Sequence, residues 1–202
     1  MSPNEINHSD DRRRFLRTAG LSVLGGLLIG SQPLVGTAQA TPGLGQTALP
    51  APQINTARSL ILNNIHTGER LNCAFGSANS YDPAALSAID RLMRDHRTGD
   101  IHPIDPRLLD LMNAIADRLQ VAPAFEIVSG FRSEKTNQAL RNQGRNVARK
   151  SYHMLGQAVD VRMPGVSTTR LHQAALALRQ GGVGLYRGPG FVHVDTGPVR
   201  TW

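Results

Sequence analysis

Val183-Gly184-Leu185-Tyr186-Arg187-Gly188-Pro189-Gly190-Phe191-Val192-His193-Val194-Asp195 is the stretch that decides how this chain folds. Two short runs containing β-branched and aromatic residues flank a link of Arg, Gly and Pro, the composition of a hairpin. In the second run, valine alternates with Phe191, His193 and Asp195. Successive strand side chains point to opposite faces, so these three residues share one face and the valines the other. The segment Ser151-Tyr152-His153-Met154-Leu155-Gly156-Gln157-Ala158-Val159-Asp160 is built alike. A strand is expected from Ala158 to Met163, with Val159 and Val161 facing a core and Asp160 facing away. Gly156 permits a tight bend just before it.

Upstream, Arg58 to Asn64 and Glu69 to Phe75 are expected to form another hairpin around Ile65-His66-Thr67-Gly68. Asp82-Pro83 and Asp105-Pro106 each offer an N-cap followed by a proline at the first helical position. Leu86, Ile89, Leu92 and Met93 follow the first at helical spacing; Leu108, Leu109, Met112, Ile115, Ala116 and Leu119 follow the second. Phe125 to Ser129 is a short strand ending at Gly130, and a third helix starts at Ser133. Ser167 caps a fourth helix through Leu171, Ala174, Ala175 and Leu178, ended by Gly181-Gly182. The fold class expected is α+β: an antiparallel sheet with packed helices, spanning residues 58–202.

The preceding residues read as an address. Asp11-Arg12-Arg13-Arg14-Phe15-Leu16-Arg17 precedes an apolar run, Ala19 to Ile29, too short for a comfortable membrane span. Ala38-Gln39-Ala40 then supplies a cleavage site. Residues 1–40 therefore resemble a twin-arginine signal peptide, and residues 41–57, rich in Pro, Gly and Ala, a flexible lead-in. This predicts export to the periplasm by the twin-arginine machinery, with no stable membrane anchor.

Composition narrows the chemistry. With 40% hydrophobic and 18% charged residues, the 202-residue chain is neither disordered nor low-complexity. The net charge of +7 suits a polyanionic partner, but the basic residues are scattered and aromatics make up only 4%, so no nucleic-acid partner is expected. The bacterial envelope is an anionic partner that fits equally well. A single cysteine, Cys73, excludes an internal disulfide and a Cys-rich metal site.

A catalytic zinc takes three ligands from His, Asp, Glu or Cys and keeps a fourth position for water. Asp160, set between valines, needs a partner because an unpaired buried carboxylate is costly. A metal serves, and so does an arginine. If the strand 191–195 neighbours that of Asp160, His193 joins His153 and Asp160 in a two-His, one-carboxylate set. Mixed nitrogen and oxygen donors suit Zn2+.

Ser-Gly-Phe-Arg-Ser at 129–133, Ser-x-His-x-x-Gly-x-Ala-x-Asp at 151–160 and Phe-Val-His-Val-Asp-Thr-Gly at 191–197 together resemble the YcbK-type branch of the zinc D-alanyl-D-alanine peptidases, in the peptidase M15-like superfamily. Leu62-Asn63-Asn64-Ile65-His66-Thr67-Gly68-Glu69, Gly181-Gly182-Val183-Gly184 and the Trp202 ending are similar as well. The resemblance implies a hedgehog/D-Ala-D-Ala-peptidase-like fold, a zinc peptidase domain over 58–202 and metal ligands His153, Asp160 and His193. It implies a murein endopeptidase cutting peptide cross-links of peptidoglycan during wall remodelling. The bonds implied join two diaminopimelate residues, with room for activity on D-alanyl-diaminopimelate links. Arg132 matches the family's substrate-facing arginine, suited to a stem-peptide carboxylate or to an oxyanion.

The general base is the departure. Many members of the wider family that the chain resembles keep a histidine two residues before the last ligand or a glutamate three before it; here those positions are Phe191 and Gly190. Asp195 is the remaining candidate, as base or as hydrogen-bond partner of His193, and a shifted strand would make it the ligand and His193 the base. Two alternatives stay open: a D-alanyl-D-alanine carboxypeptidase, and a non-catalytic zinc-containing wall-binding module. Ser151 and Gln157 are placed to orient the ligands. His66, His96, His102 and His172 read as structural or exposed. Arg141, Arg145, Arg149 and Lys150 read as a solvated face, with the option of touching the anionic wall.

Overall fold

Gly182–Tyr186 and Phe191–Asp195 pair as an antiparallel hairpin, with Gly184 opposite His193. Ala158–Arg162 runs antiparallel along the other side of the second strand and sets Asp160 opposite His193. The computed structural model describes residues 57–77, 80–144 and 147–202, so the expected signal peptide and nearly all of the expected lead-in lie outside the described residues. Within them the strands are β1 (Arg58–Asn64), β2 (Arg70–Ser77), β3 (Ser80–Tyr81), β4 (Ala124–Ser129), β5 (Ala158–Arg162), β6 (Gly182–Tyr186), β7 (Phe191–Asp195) and β8 (Arg200–Thr201). They form one sheet in the order β3-β2-β1-β4-β5-β7-β6-β8.

The α+β expectation holds with one adjustment. Most pairs are antiparallel, but β1–β4 and β6–β8 are parallel. The chain reaches β4 from the first hairpin only through two helices, and such crossovers permit a parallel return. Turn residues report on neighbours in sequence and cannot reveal such a pair. β3 and β8, two residues each, are too short to show a period.

Four helices complete the fold: α1 (Pro83–Leu92), α2 (Pro106–Leu119), α3 (Glu134–Asn142) and α4 (Thr168–Leu178). Each has its expected cap. The side chains of Asp82, Asp105, Ser133 and Ser167 accept from the backbone N–H of Ala84, Arg107, Thr136 and Arg170. α4 stops earlier than its glycines suggest, at Arg179, which takes the left-handed conformation with φ 53°. Gly181 serves packing instead: a Cβ there would lie 1.7 Å from the Asp195 carbonyl oxygen. Among the described residues no helix is long and apolar enough to cross a membrane.

Packing assigns the two faces of the central sheet. Val159, Val161, Val192 and Val194 are fully buried in one core with Leu108, Met112 and Ile115 of α2 and Leu171 of α4. Each such side chain contributes about 1.5–3 kcal/mol through burial. The alternation then turns Asp160 and His193 to the other face.

One buried carboxylate fixes the segment that leads from β4 into α3. Asp95 is 1% exposed and accepts from Ser133 N–H (2.9 Å), Ser133 Oγ (2.7 Å) and Arg97 N–H (2.9 Å). Burial pushes its pKa up, but hydrogen bonds from Thr136, Arg97 and Ser133 outweigh this and hold it at about 2. Asp95→Asn is therefore expected to cost about 2–3 kcal/mol in urea unfolding at neutral pH. Because the folded pKa lies below the ordinary carboxylate value of about 3.8, Asp95 stabilises fully above that pH. The difference between wild type and variant should shrink as pH falls from there through about 2.

Candidate metal centre

A short 3-10 turn, Tyr152–Leu155, carries His153 beneath the end of β4. Gly156 ends that turn with φ 65°, and a Cβ there would lie 2.1 Å from the Pro103 carbonyl oxygen, so only glycine fits the bend. His153 is 3% exposed. Its Nδ1 lies 2.8 Å from the Gly130 carbonyl oxygen, which can only accept, so Nδ1 carries the proton and Nε2 is left with a lone pair. That Nε2 points to His193 Nδ1 (3.2 Å) and Asp160 Oδ1 (3.3 Å). His193 Nδ1 is 2.8 Å from Asp160 Oδ1.

His153, Asp160 and His193 thus present one donor atom each, all within 4.8 Å of one another, and all three residues are buried. Burial lowers the His153 pKa, which keeps its ring neutral. Asp160 is pushed up by burial, yet the two imidazoles hold its carboxyl well below the usual carboxylate range. The donor set suits a divalent cation: two imidazole nitrogens and a carboxylate oxygen converge, and each imidazole has its outer nitrogen already engaged. The residues fit Zn2+ in type and number.

Asp195 is the outer partner of His193. It is fully buried, and its Oδ2 lies 3.0 Å from His193 Nε2. It also accepts from Gly182 N–H (3.0 Å), Gly197 N–H (2.8 Å) and both terminal nitrogens of Arg200 (3.1 and 2.6 Å). Against the upward push of burial, these donors hold its pKa far below normal. The β5–β7 register sets Asp195 opposite Ala158, outside the three-donor group.

Arg132 donates its backbone N–H to the His153 carbonyl (3.1 Å), which ties it to the centre. Its guanidinium contacts are long: 3.9 Å to Asp160 Oδ2, 3.4 Å to Ser129 Oγ and 3.5 Å to Asn137 Oδ1. Nε is buried without a partner among the described residues. The group therefore enters the cavity with donors to spare. Both readings of Asp160, metal ligand and arginine partner, meet in one place.

The cavity measures about 680 Å3 and is lined by His153, Asp160, His193, Arg132, Tyr186 and Trp202, among others. Trp202, noted in the sequence only as a motif ending, and Arg200 are participants whose roles the sequence did not show. The Trp202 ring lies 5.2 Å from that of His193, and its Nε1 donates to the Tyr186 hydroxyl (3.0 Å). A Cβ on Gly184 would sit 2.5 Å from the indole, and one on Gly182 2.5 Å from Arg200, whose guanidinium lies over the rings of Tyr152 and Trp202. The signal was present in Gly-Val-Gly, since glycine inside a strand marks a close approach.

The other expectations separate. Among the described residues, the side chains of Ser151 and Gln157 make no hydrogen bond to the three donors. His66 stacks on His96 (3.9 Å between ring centres) and lines the same cavity, and His102 stacks on Phe131 (4.8 Å); neither they nor His172 belong to the three-donor group.

The family described as peptidoglycan L,D-endopeptidase MepK matches residues 53–202. The chain belongs to the MepK family. It is 42% identical over 180 residues to the "Probable peptidoglycan L,D-endopeptidase MepK" of Haemophilus influenzae, covering 89% of this chain and 91% of that one. It is 38% identical over 182 residues to the peptidoglycan L,D-endopeptidase MepK of Escherichia coli K12, covering 90% and 94%. No solved structure matches. The likeness to a branch of M15-type murein endopeptidases, read from the motifs, is borne out by these MepK relatives.

Proposed function

We propose that this protein is a zinc-dependent murein endopeptidase, which hydrolyses peptide cross-links of peptidoglycan during cell-wall remodelling. One observation carries the reading: a buried His153–Asp160–His193 donor group opens onto a cavity shared with Arg132, in a chain of the MepK family. The names of the relatives describe enzymes acting on peptidoglycan. A hedgehog/D-Ala-D-Ala-peptidase-like fold, a twin-arginine leader over 1–40 and a periplasmic location complete the proposal.

His153, Asp160 and His193 would hold the zinc. When bound, zinc supplies Lewis acidity, for activating water and polarising the scissile carbonyl. Gly130 and Asp195 hold the imidazoles through their outer nitrogens. Asp195 is assigned this orienting role rather than that of the base, because every contact it makes is with a protein donor. Arg132 binds a stem-peptide carboxylate or the oxyanion with the donors left free by its long contacts. Arg132→Lys should lower kcat/KM on cross-linked dimers about 100-fold, since one ammonium cannot replace a planar fork. Zinc content should not change, which separates loss of contact from loss of metal.

One observation favours the wall-binding module. Phe191, at the position where many members of the wider superfamily are expected to place a base, stacks on Tyr186 (4.6 Å). Chromatography of purified muropeptide dimers and monomers after incubation, with and without a chelator, distinguishes the readings. The proposal expects dimers to become monomers, no reaction with chelator, and recovery with Zn2+. Monomers losing D-alanine would indicate a carboxypeptidase. Binding without any product would indicate the module.

A further inference from the structure

A second cleft of about 630 Å3 adjoins the metal centre. Glu134, Asn137, Gln138 and Arg141 of α3 line it on one side, and residues 149–152 with Met154 and Leu155 line it on the other. Lys150, Ser151 and Tyr152 are common to both clefts, and the next residue is His153. The two spaces therefore meet beside the metal ligands. Asn137 Nδ2 donates to the carbonyls of Ala148 (3.1 Å) and Arg149 (3.4 Å) and holds the far wall onto α3.

The charge of this cleft is one-sided. Arg141, Arg149 and Lys150 face a single acid, Glu134. All three cations are exposed, and among the described residues none of them forms an ion pair. Leu155, 57% exposed, adds an apolar surface among them. Such a cleft fits an extended ligand with several carboxylates and short apolar side chains.

A terminal D-alanine is one residue past the scissile bond and needs little room there. A cross-link continues as peptide on both sides of the bond, so its site needs two clefts that meet at the reacting carbonyl. We propose that the α3 cleft is the subsite for the second stem peptide of the cross-link, whose free carboxylates pair with Arg141, Arg149 and Lys150. The assignment rests on the endopeptidase reading and names the part of the substrate that reading leaves unplaced.

The test is calorimetric binding of a muropeptide dimer to the metal-depleted protein, where nothing is turned over. Arg141→Gln with Arg149→Gln should weaken binding about tenfold at low salt and flatten its salt dependence. A dimer with amidated carboxylates should bind wild type as weakly as the native dimer binds the variant. Equal affinity of variant and wild type for the native dimer would overturn the subsite. So would an equal weakening toward poly-L-glutamate, which would mark a general polyanion surface. Cleavage of the same dimer by zinc-loaded wild type reads the other claim. Its absence contradicts hydrolysis, whereas weakened binding in the variant supports the subsite with or without cleavage.

Discussion

Asp160→Ala should leave a folded protein that no longer retains zinc and cleaves muropeptide dimers about 1,000-fold more slowly, corresponding to about 4 kcal/mol of lost transition-state stabilisation. Asp160 is the anionic donor of the three-residue group, 2.8 Å from His193 and 3.3 Å from His153. Without it, the two imidazoles are left with no carboxylate among the donors to neutralise a dication. The strand itself should survive, because Val159 and Val161 carry its packing. Arg132 then loses its closest carboxylate, a 3.9 Å contact, but keeps Ser129 and Asn137. Circular dichroism and metal analysis of the variant, together with dimer turnover, check the three parts. Retention of one zinc per chain would remove Asp160 from the ligand set.

Asp195→Asn should do the opposite kind of damage, lowering stability first and metal affinity second. The wild-type carboxylate is fully buried and gathers His193, Arg200 and two backbone N–H groups. An amide keeps the volume but removes the charge and turns one acceptor into a donor aimed at other donors. Breaking a buried, hydrogen-bonded charge pair costs about 3–4 kcal/mol. Releasing the outer nitrogen of a metal-binding histidine typically weakens the metal about 10–100-fold. Urea unfolding and competition with a zinc chelator measure the two effects separately. A variant as stable as wild type would show that the donors around Asp195 are satisfied without its charge.

Residues at both these positions were legible in the sequence because strands carry their own ruler. Val159 and Val161 about Asp160, and Val192 and Val194 about His193, fix which side chains leave the core. The helix starts were equally plain, since Asp82, Asp105, Ser133 and Ser167 are local devices with local consequences. What failed to show was non-local. The parallel return of β4 onto β1 depends on a crossover through α1 and α2. Arg200 drew no reading from the sequence, though it closes on Asp195 five positions earlier and stacks on Tyr152 from another part of the chain. Trp202 finds its seat only because Gly184 lacks a side chain two strands from Asp160. The role of Asp195 was open for the same reason: its face was clear from alternation, but the donors that surround it come from β6, from Gly197 and from Arg200.

The proposed chemistry needs a cation gripped by one turn and two adjacent strands. Diffraction from crystals of the zinc-loaded protein, recorded on both sides of the zinc absorption edge, tests this directly. A single anomalous peak enclosed by His153 Nε2, Asp160 Oδ1 and His193 Nδ1 is the predicted result. A peak elsewhere, or none at this position with zinc in excess, would contradict it.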